Sequence, residues 1–170
     1  MKKALITSII VFLLDLLSKQ IVIHNMLEEQ SITIINKFFY ITYAQNTGIA
    51  FSMLENKIPF IIIMTILVIF FILKYVKENS KTNFERICYG TVIGGAVGNL
   101  LDRVVYGYVI DFLDFHIFSY HFPIFNLADT FIVIGILLLL MISLKEEKKQ
   151  NKKESSDENG NTSRKYPKNR

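Results

Sequence analysis

The sequence predicts a mainly α-helical integral membrane protein, with four transmembrane helices and a small extracytoplasmic β element. Three observations predict it. Hydrophobic residues make up 51% of the 170, a share too large for an ordinary soluble domain in a chain too short for several domains. Apolar runs recur at lengths near the roughly 20 residues a helix needs to cross a hydrocarbon core of about 30 Å. Apart from Lys74 and Arg86 at the opposite side, the ionisable residues within those runs (Asp15, Lys19, Asp102, Arg103 and Asp129) collect toward one side instead of scattering along them.

Residues 4–23, 58–76 and 124–144 are the most apolar runs. Residues 86–105 are less hydrophobic but read the same way, since they hold no Pro and their glycines suit packed membrane helices. The first run follows Met1-Lys2-Lys3 and could pass for a secretory signal, but no small-residue cleavage site follows and it contains Asp15 and Lys19. It is expected to stay as an uncleaved helix. Pro59 and Pro123 stand near the starts of the second and fourth runs, where a missing N–H is harmless.

The net charge of +4 could suggest nucleic acid, so its location matters. Residues 145–170 hold nine Lys/Arg and five Asp/Glu, which leaves ten of each for residues 1–144. The surplus lies in a tail with almost no apolar residues. Two regions follow: a four-helix membrane domain over 1–144 and a disordered basic cytoplasmic tail over 145–170, whose partner would be the anionic inner leaflet and not nucleic acid. The single Cys88 excludes an intramolecular disulfide and a CxxC metal site.

Lys2 and Lys3 precede the first span, Lys74, Lys77, Lys81 and Arg86 surround the connection between the second and third, and the basic tail follows the fourth. The positive-inside rule therefore puts both termini in the cytoplasm of a multi-pass cell-membrane protein. Residues 24–57 and 106–123 must then face outward. Within them, 32–43 and 108–118 are β-branched and aromatic with partial alternation, which predicts short strands at the lipid surface.

Ionisable groups at membrane depth are costly and usually functional. Asp15 and Lys19 lie in the outer half of the first span, Asn99, Asp102 and Arg103 in the last turns of the third, and Asn126 and Asp129 in the first turns of the fourth. Asn46 and Asp111 lie in the outer connections. Polar residues from every outward segment thus converge at one depth, as one site would require. Each also has a bland explanation. Asp15 and Lys19 have the i, i+4 spacing of an intrahelical ion pair, and Asp102 and Arg103 could mark the membrane interface. Gly94-Gly95-Ala96-Val97-Gly98 fits close helix packing.

Asp129 is harder to explain away, because an unbroken apolar run follows it and its own helix offers no nearby cation. Two carboxylates brought together in such a place share a proton. One can then take a proton from an attacking water while the other, protonated, stabilises the oxyanion.

In order along the chain stand Asp15 with Lys19, Asn46-Thr47-Gly48-Ile49-Ala50-Phe51, the glycine-rich stretch running on through Asn99-Leu100-Leu101-Asp102-Arg103, Val109-Ile110-Asp111-Phe112, and Phe125-Asn126-Leu127-Ala128-Asp129. With these blocks, residues 4–144 resemble the lipoprotein signal peptidases, or signal peptidases II. The resemblance implies an aspartic endopeptidase without metal or other cofactor, a hydrolase of the bacterial cell membrane. It would cleave diacylglyceryl-modified prolipoproteins just before the lipidated cysteine. Separately, a monomer is expected, and the topology puts the active site on the outward side. Asp111 and Asp129 would be the catalytic pair. Asn46, Asn99, Arg103 and Asn126 would line the substrate cleft, and Asp15, Lys19, Gly48, Gly98 and Asp102 would be structural supports. Ile49 departs from the small residue usual there. Asp114 competes with Asp111, but on a strand the two point to opposite faces, and Val109 and Phe112 favour Asp111.

Other chemistries are less well supported by the residues. Asp111, Asp114, His116 and His121 fit no HExxH-type metal spacing. An ion path through Asp15, Lys19, Asp102 and Asp129 would need ionisable groups in the inner halves of the first and fourth spans, which hold none. Ser18, Ser52 and Ser119 have no evident base, and Cys88 belongs at the opposite membrane face.

Overall fold

A computed structural model describes residues 1–49, 53–117 and 120–162, with side chains described for all of these except 120, 121 and 153–162. Ala50 and Phe51 of the second motif, together with Ser52 and Ser119, lie outside the described residues. The chain runs α1 (Lys2–Asn25), β1 (Ser31–Ile35), β2 (Phe39–Asn46), α2 (Ile58–Asn79), α3 (Asn83–Val105), β3 (Val109–Ile117), β4 (Tyr120–His121) and α4 (Leu127–Thr162). Its architecture is mainly helical with a small antiparallel sheet, as the apolar runs predict.

Helices α1, α2 and α4 are long and apolar enough to cross a membrane, whereas α3 is not. The reason lies in its position. α3 packs against α1, α4 and α2 and buries Glu85, Asn99, Asp102 and Arg103 together with four glycines. α2 buries only Ile61 and Val76 and leaves its other apolar side chains half-buried or exposed. A helix whose neighbours are protein needs small and polar residues, while one facing lipid needs apolar ones. Gly95 shows how close the packing is, since a Cβ there would lie 2.5 Å from the carbonyl oxygen of Ala128 in α4. α3 starts on a capping box: Thr82 Oγ1 accepts from the Glu85 N–H at 3.1 Å, and the Glu85 carboxylate accepts from the Thr82 N–H at 3.4 Å.

The run 32–43 is broken into two strands by a turn at which Lys37 takes φ 61°. The sheet order is β1-β2-β3-β4, antiparallel throughout. Val22 and Met26 at the end of α1 pack with Tyr43, Ile110 and Phe112 and fix the sheet over that end of the bundle. Leu113 and Phe125 exchange backbone hydrogen bonds at 2.7 and 3.1 Å, which ties the entry of α4 to β3.

The disorder expected from residue 145 onward is corrected here as far as Thr162, because α4 continues through this segment. Low apolar content rules out a core of its own, but Lys, Glu and Gln are good helix formers and the preceding apolar turns already supply the nucleus. Lys81 and Glu146 form an exposed ion pair at 3.3 Å.

Candidate active site

Asn126 directly precedes α4 and caps it. Its Oδ1 accepts from the Asp129 N–H at 2.9 Å, and the Asp129 carboxylate faces the Asn126 N–H at 3.4 Å. Asp129 therefore sits in the first helical turn, where unpaired N–H groups favour negative charge. Asp111 is buried on β3 opposite Ala44. Two residues further along β2, on the same face, Asn46 donates to Asp111 Oδ2 at 2.9 Å. Asn126 Nδ2 donates to Asp111 Oδ1 at 2.7 Å, so a single amide joins the two acids.

Behind them lies Lys19, 1% exposed. Its Nζ reaches Asp15 Oδ2 at 2.7 Å, Asp102 Oδ2 at 2.8 Å and Asn99 Oδ1 at 2.9 Å, one acceptor for each of its three protons. Asp15 Oδ1 in turn accepts from the Ala128 N–H at 2.9 Å, and Asp102 Oδ2 accepts from the Ile110 N–H at 3.2 Å. The ion cluster thus ties α1 to the starts of α4 and β3. Gly98 makes room for it, because a Cβ there would collide with the Asp15 carboxylate.

Each of the three amides has its oxygen committed to a donor. Asn46 Oδ1 accepts from the Gly48 N–H at 2.9 Å, Asn99 Oδ1 from Lys19, and Asn126 Oδ1 from the Asp129 N–H. This fixes each amide's orientation and turns the three NH2 groups toward the acids, with Asn99 Nδ2 donating to Asp129 Oδ1 at 2.7 Å. Burial, and after it the charge of Asp129, pushes the Asp111 carboxyl up to about 7. NH2 protons aimed at carboxylate lone pairs suit a proton-sharing pair and oppose a cation in the same place.

Arg103 donates to the Gly48 carbonyl at 2.7 Å and the Asn99 carbonyl at 3.3 Å, while its buried Nε has no hydrogen-bond partner among the described residues. Asn46, Asn99, Arg103, Asp111 and Asp129 line the polar end of a cavity of about 1570 Å³, whose remaining walls are mostly apolar side chains of α2, α3 and α4.

The eleven residues that the sequence assigns to the catalytic pair, the cleft and its supports come together here, with Gly48 contributing backbone groups and Gly98 contributing space. Asp114 is held elsewhere, accepting from Thr42 Oγ1 at 2.8 Å and pairing with His116 Nε2 at 2.8 Å. His121 lies across from His116 in the β3 to β4 register. Among the described residues, no group of three His, Cys, Asp or Glu is placed to hold a metal ion. Sequence reasoning missed the backbone of Ala128 and Ile110 and the groove residues Phe60, Met64 and Tyr89. The start of α4 at Leu127 was the available signal for Ala128, since first-turn N–H groups need outside acceptors.

Membrane-length apolar helices and two buried carboxylates at the polar end of an apolar groove are what an integral membrane peptidase of the aspartic class would need. The family model described as signal peptidase (SPase) II matches residues 7–145, and the chain belongs to that family. A lipoprotein signal peptidase of Halothermothrix orenii is 43% identical over 134 residues, covering 79% of this chain and 90% of that one. Two structures of bacterial membrane enzymes, obtained by the in meso method at 2.3 and 1.9 Å, superpose with TM-scores of 0.81 and 0.78. Each is 32% identical; the first covers 86% of this chain and 90% of its own, the second 85% and 94%.

Proposed function

We propose that Asp111 and Asp129 are the catalytic pair with which this chain removes signal peptides from diacylglyceryl-modified prolipoproteins, cutting immediately before the lipidated cysteine. The observation that carries the reading is the set of three oriented amides, which direct donors onto two buried carboxylates at the polar end of an apolar groove. Asp129, at a helix N-terminus, is the ionised member and takes a proton from water as the water oxygen attacks the scissile carbonyl carbon. Asp111 holds its proton near neutrality and gives it to the carbonyl oxygen. On collapse Asp129 passes its proton to the leaving amine, Asp111 recovers one from the diol, and the C–N bond breaks. Asn46, Asn99 and Asn126 hold the acids in place, and the unpartnered Nε of Arg103 supports a contact with a substrate carbonyl. Asp15, Lys19, Gly48, Gly98 and Asp102 are supports.

The apolar walls suit a substrate whose signal helix and acyl chains stay in the bilayer. The basic residues at the opposite end of the bundle support cytoplasmic termini and a site facing outward. We further propose that residues 1–144 are the catalytic unit, that it works as a monomer, and that the tail after 144 is dispensable for cleavage.

In proteoliposomes the protein is expected to cleave a lipidated precursor and to spare its unlipidated counterpart, with the rate unchanged by strong chelation. Equal cleavage of both would refute the substrate assignment, and loss on chelation would refute the metal-free mechanism.

The pH dependence follows from Asp111. Turnover requires its proton, so the rate is expected to fall above about pH 7, approaching about tenfold per pH unit. A profile flat to pH 9 would sink the assignment. The sign for folding is the same. A carboxyl raised above its unfolded value binds a proton more tightly when folded, so its contribution is fully present below the ordinary carboxylate range and is lost as pH rises through about 7.

A further inference from the structure

The apolar groove below the acids has a lining that reaches Tyr89 on α3, Ile72 on α2 and Leu139 on α4. Along α3 it is lined from Arg103 and Asn99 through Ala96 and Val92 to Tyr89. Tyr89 is half-buried, and its ring meets that of Tyr75 from α2, with centroids 5.6 Å apart and planes at 53°. Next to this pair Val76 and Cys88 are buried, 2% and 1% exposed, where α2 closes onto α3. Tyr89, the lining residue of α3 furthest from the acids, and the half-exposed Tyr75 thus form a crossbar of two phenol rings at this level. From Asn99, which holds Asp129, to Tyr89 is a rise of about 15 Å, or about 10 residues of helix.

About 10 residues of a helix about 11 Å across would run that length beside the apolar side chains of α2, α3 and α4 that line the cavity. The groove thus matches one short apolar helix leading from the scissile bond, within the range of about 7 to 15 residues spanned by the apolar cores of signal peptides.

We propose that Tyr89, braced by Tyr75, is the floor of this groove and acts as a ruler for the apolar segment of the signal peptide, selecting precursors with about 10 to 12 apolar residues before the cleavage site. The inference rests on the proposed function. A segment of the right length places its scissile carbonyl at Asp111 and Asp129 while its polar leader meets the tyrosine hydroxyls. A longer one drives apolar side chains into the crossbar and lifts the scissile bond past the acids, and misplacement by about 1 Å is enough to cost turnover.

The test uses the full chain in proteoliposomes, with lipidated precursors whose apolar run is set at about 9, 12, 15 and 18 residues. For the wild type, kcat/KM is expected to fall about tenfold or more between about 12 and 15 residues. Tyr89→Ala removes the floor and is expected to bring the ratio of long to short substrate back to within about threefold, while Tyr89→Phe, which keeps the ring, retains the wild-type preference. Tyr75→Ala, which takes away the brace, shifts the ratio in the same direction and serves should Tyr89→Ala fail to fold. Wild-type cleavage of all lengths within about twofold, or an unchanged ratio in whichever alanine variants fold, would overturn the ruler and leave the catalytic assignment standing. Failure to cleave the short precursor as well would overturn the proposed function, and the ruler with it.

Discussion

Asp129→Asn is expected to lower cleavage of a lipidated precursor by about 1000-fold or more while the protein stays inserted and folded. The substitution removes the proton acceptor and little else. The amide oxygen can keep the bond from Asn99 Nδ2, and the new NH2 meets only the long 3.4 Å approach of the Asn126 N–H. Asp111→Asn is expected to be equally inactive but also less stable. Both Asp111 oxygens receive NH2 groups, from Asn126 at 2.7 Å and Asn46 at 2.9 Å, so an amide in either orientation sets two donors against each other at a cost of about 1 to 3 kcal/mol. Turnover and thermal unfolding of the two variants separate these effects. Asp114→Asn, whose carboxylate serves Thr42 and His116, is expected to retain cleavage. Substantial turnover by either asparagine variant of the pair would end the assignment.

Helix positions were legible in the sequence because lipid imposes a length and a composition on whatever faces it. The depth of the polar residues was legible for the same reason: Asp15, Asn99 and Asp129 fall toward one end of their runs whatever the packing. Strand alternation separated Asp111 from Asp114. The bonding between these groups was less visible. Asn126 and Asp129 stand three apart, as a capping residue and its N3 partner do, so their mutual bonds were encoded locally. Asn46, Asn99 and Lys19, in contrast, meet only once α1, β2 and α3 are packed, and nothing local fixes which way an amide turns. The turn at Lys37 hid inside a continuous β-branched run. The helix beyond Leu144 was hidden because composition reports on the ability to form a core, whereas an existing helix can extend without one.

Lys19→Met is expected to destabilise the protein by about 3 to 5 kcal/mol and to depress turnover in whatever fraction folds. The lysine neutralises Asp15 and Asp102, which are 0% and 2% exposed, and a methionine of similar length would leave both carboxylates buried without their cation. Its second task is to hold Asn99 Oδ1. Without Nζ the amide has less to prevent it from rotating, and a rotated Asn99 presents its oxygen to Asp129, replacing a donor with a repulsive contact. The two tasks separate in a double variant. Lys19→Met with Asp102→Asn removes one stranded charge and is expected to recover part of the melting temperature, yet turnover stays low because Asn99 Oδ1 has lost its charged donor and keeps only Asn126 Nδ2 at 3.0 Å. A displaced pH–rate profile would also mark the loss of positioning, since weakening the donor to Asp129 changes how the pair shares its proton. Wild-type stability and turnover in Lys19→Met would show that the cluster does neither, and full recovery of turnover in the double variant would reduce Lys19 to a purely structural counterion.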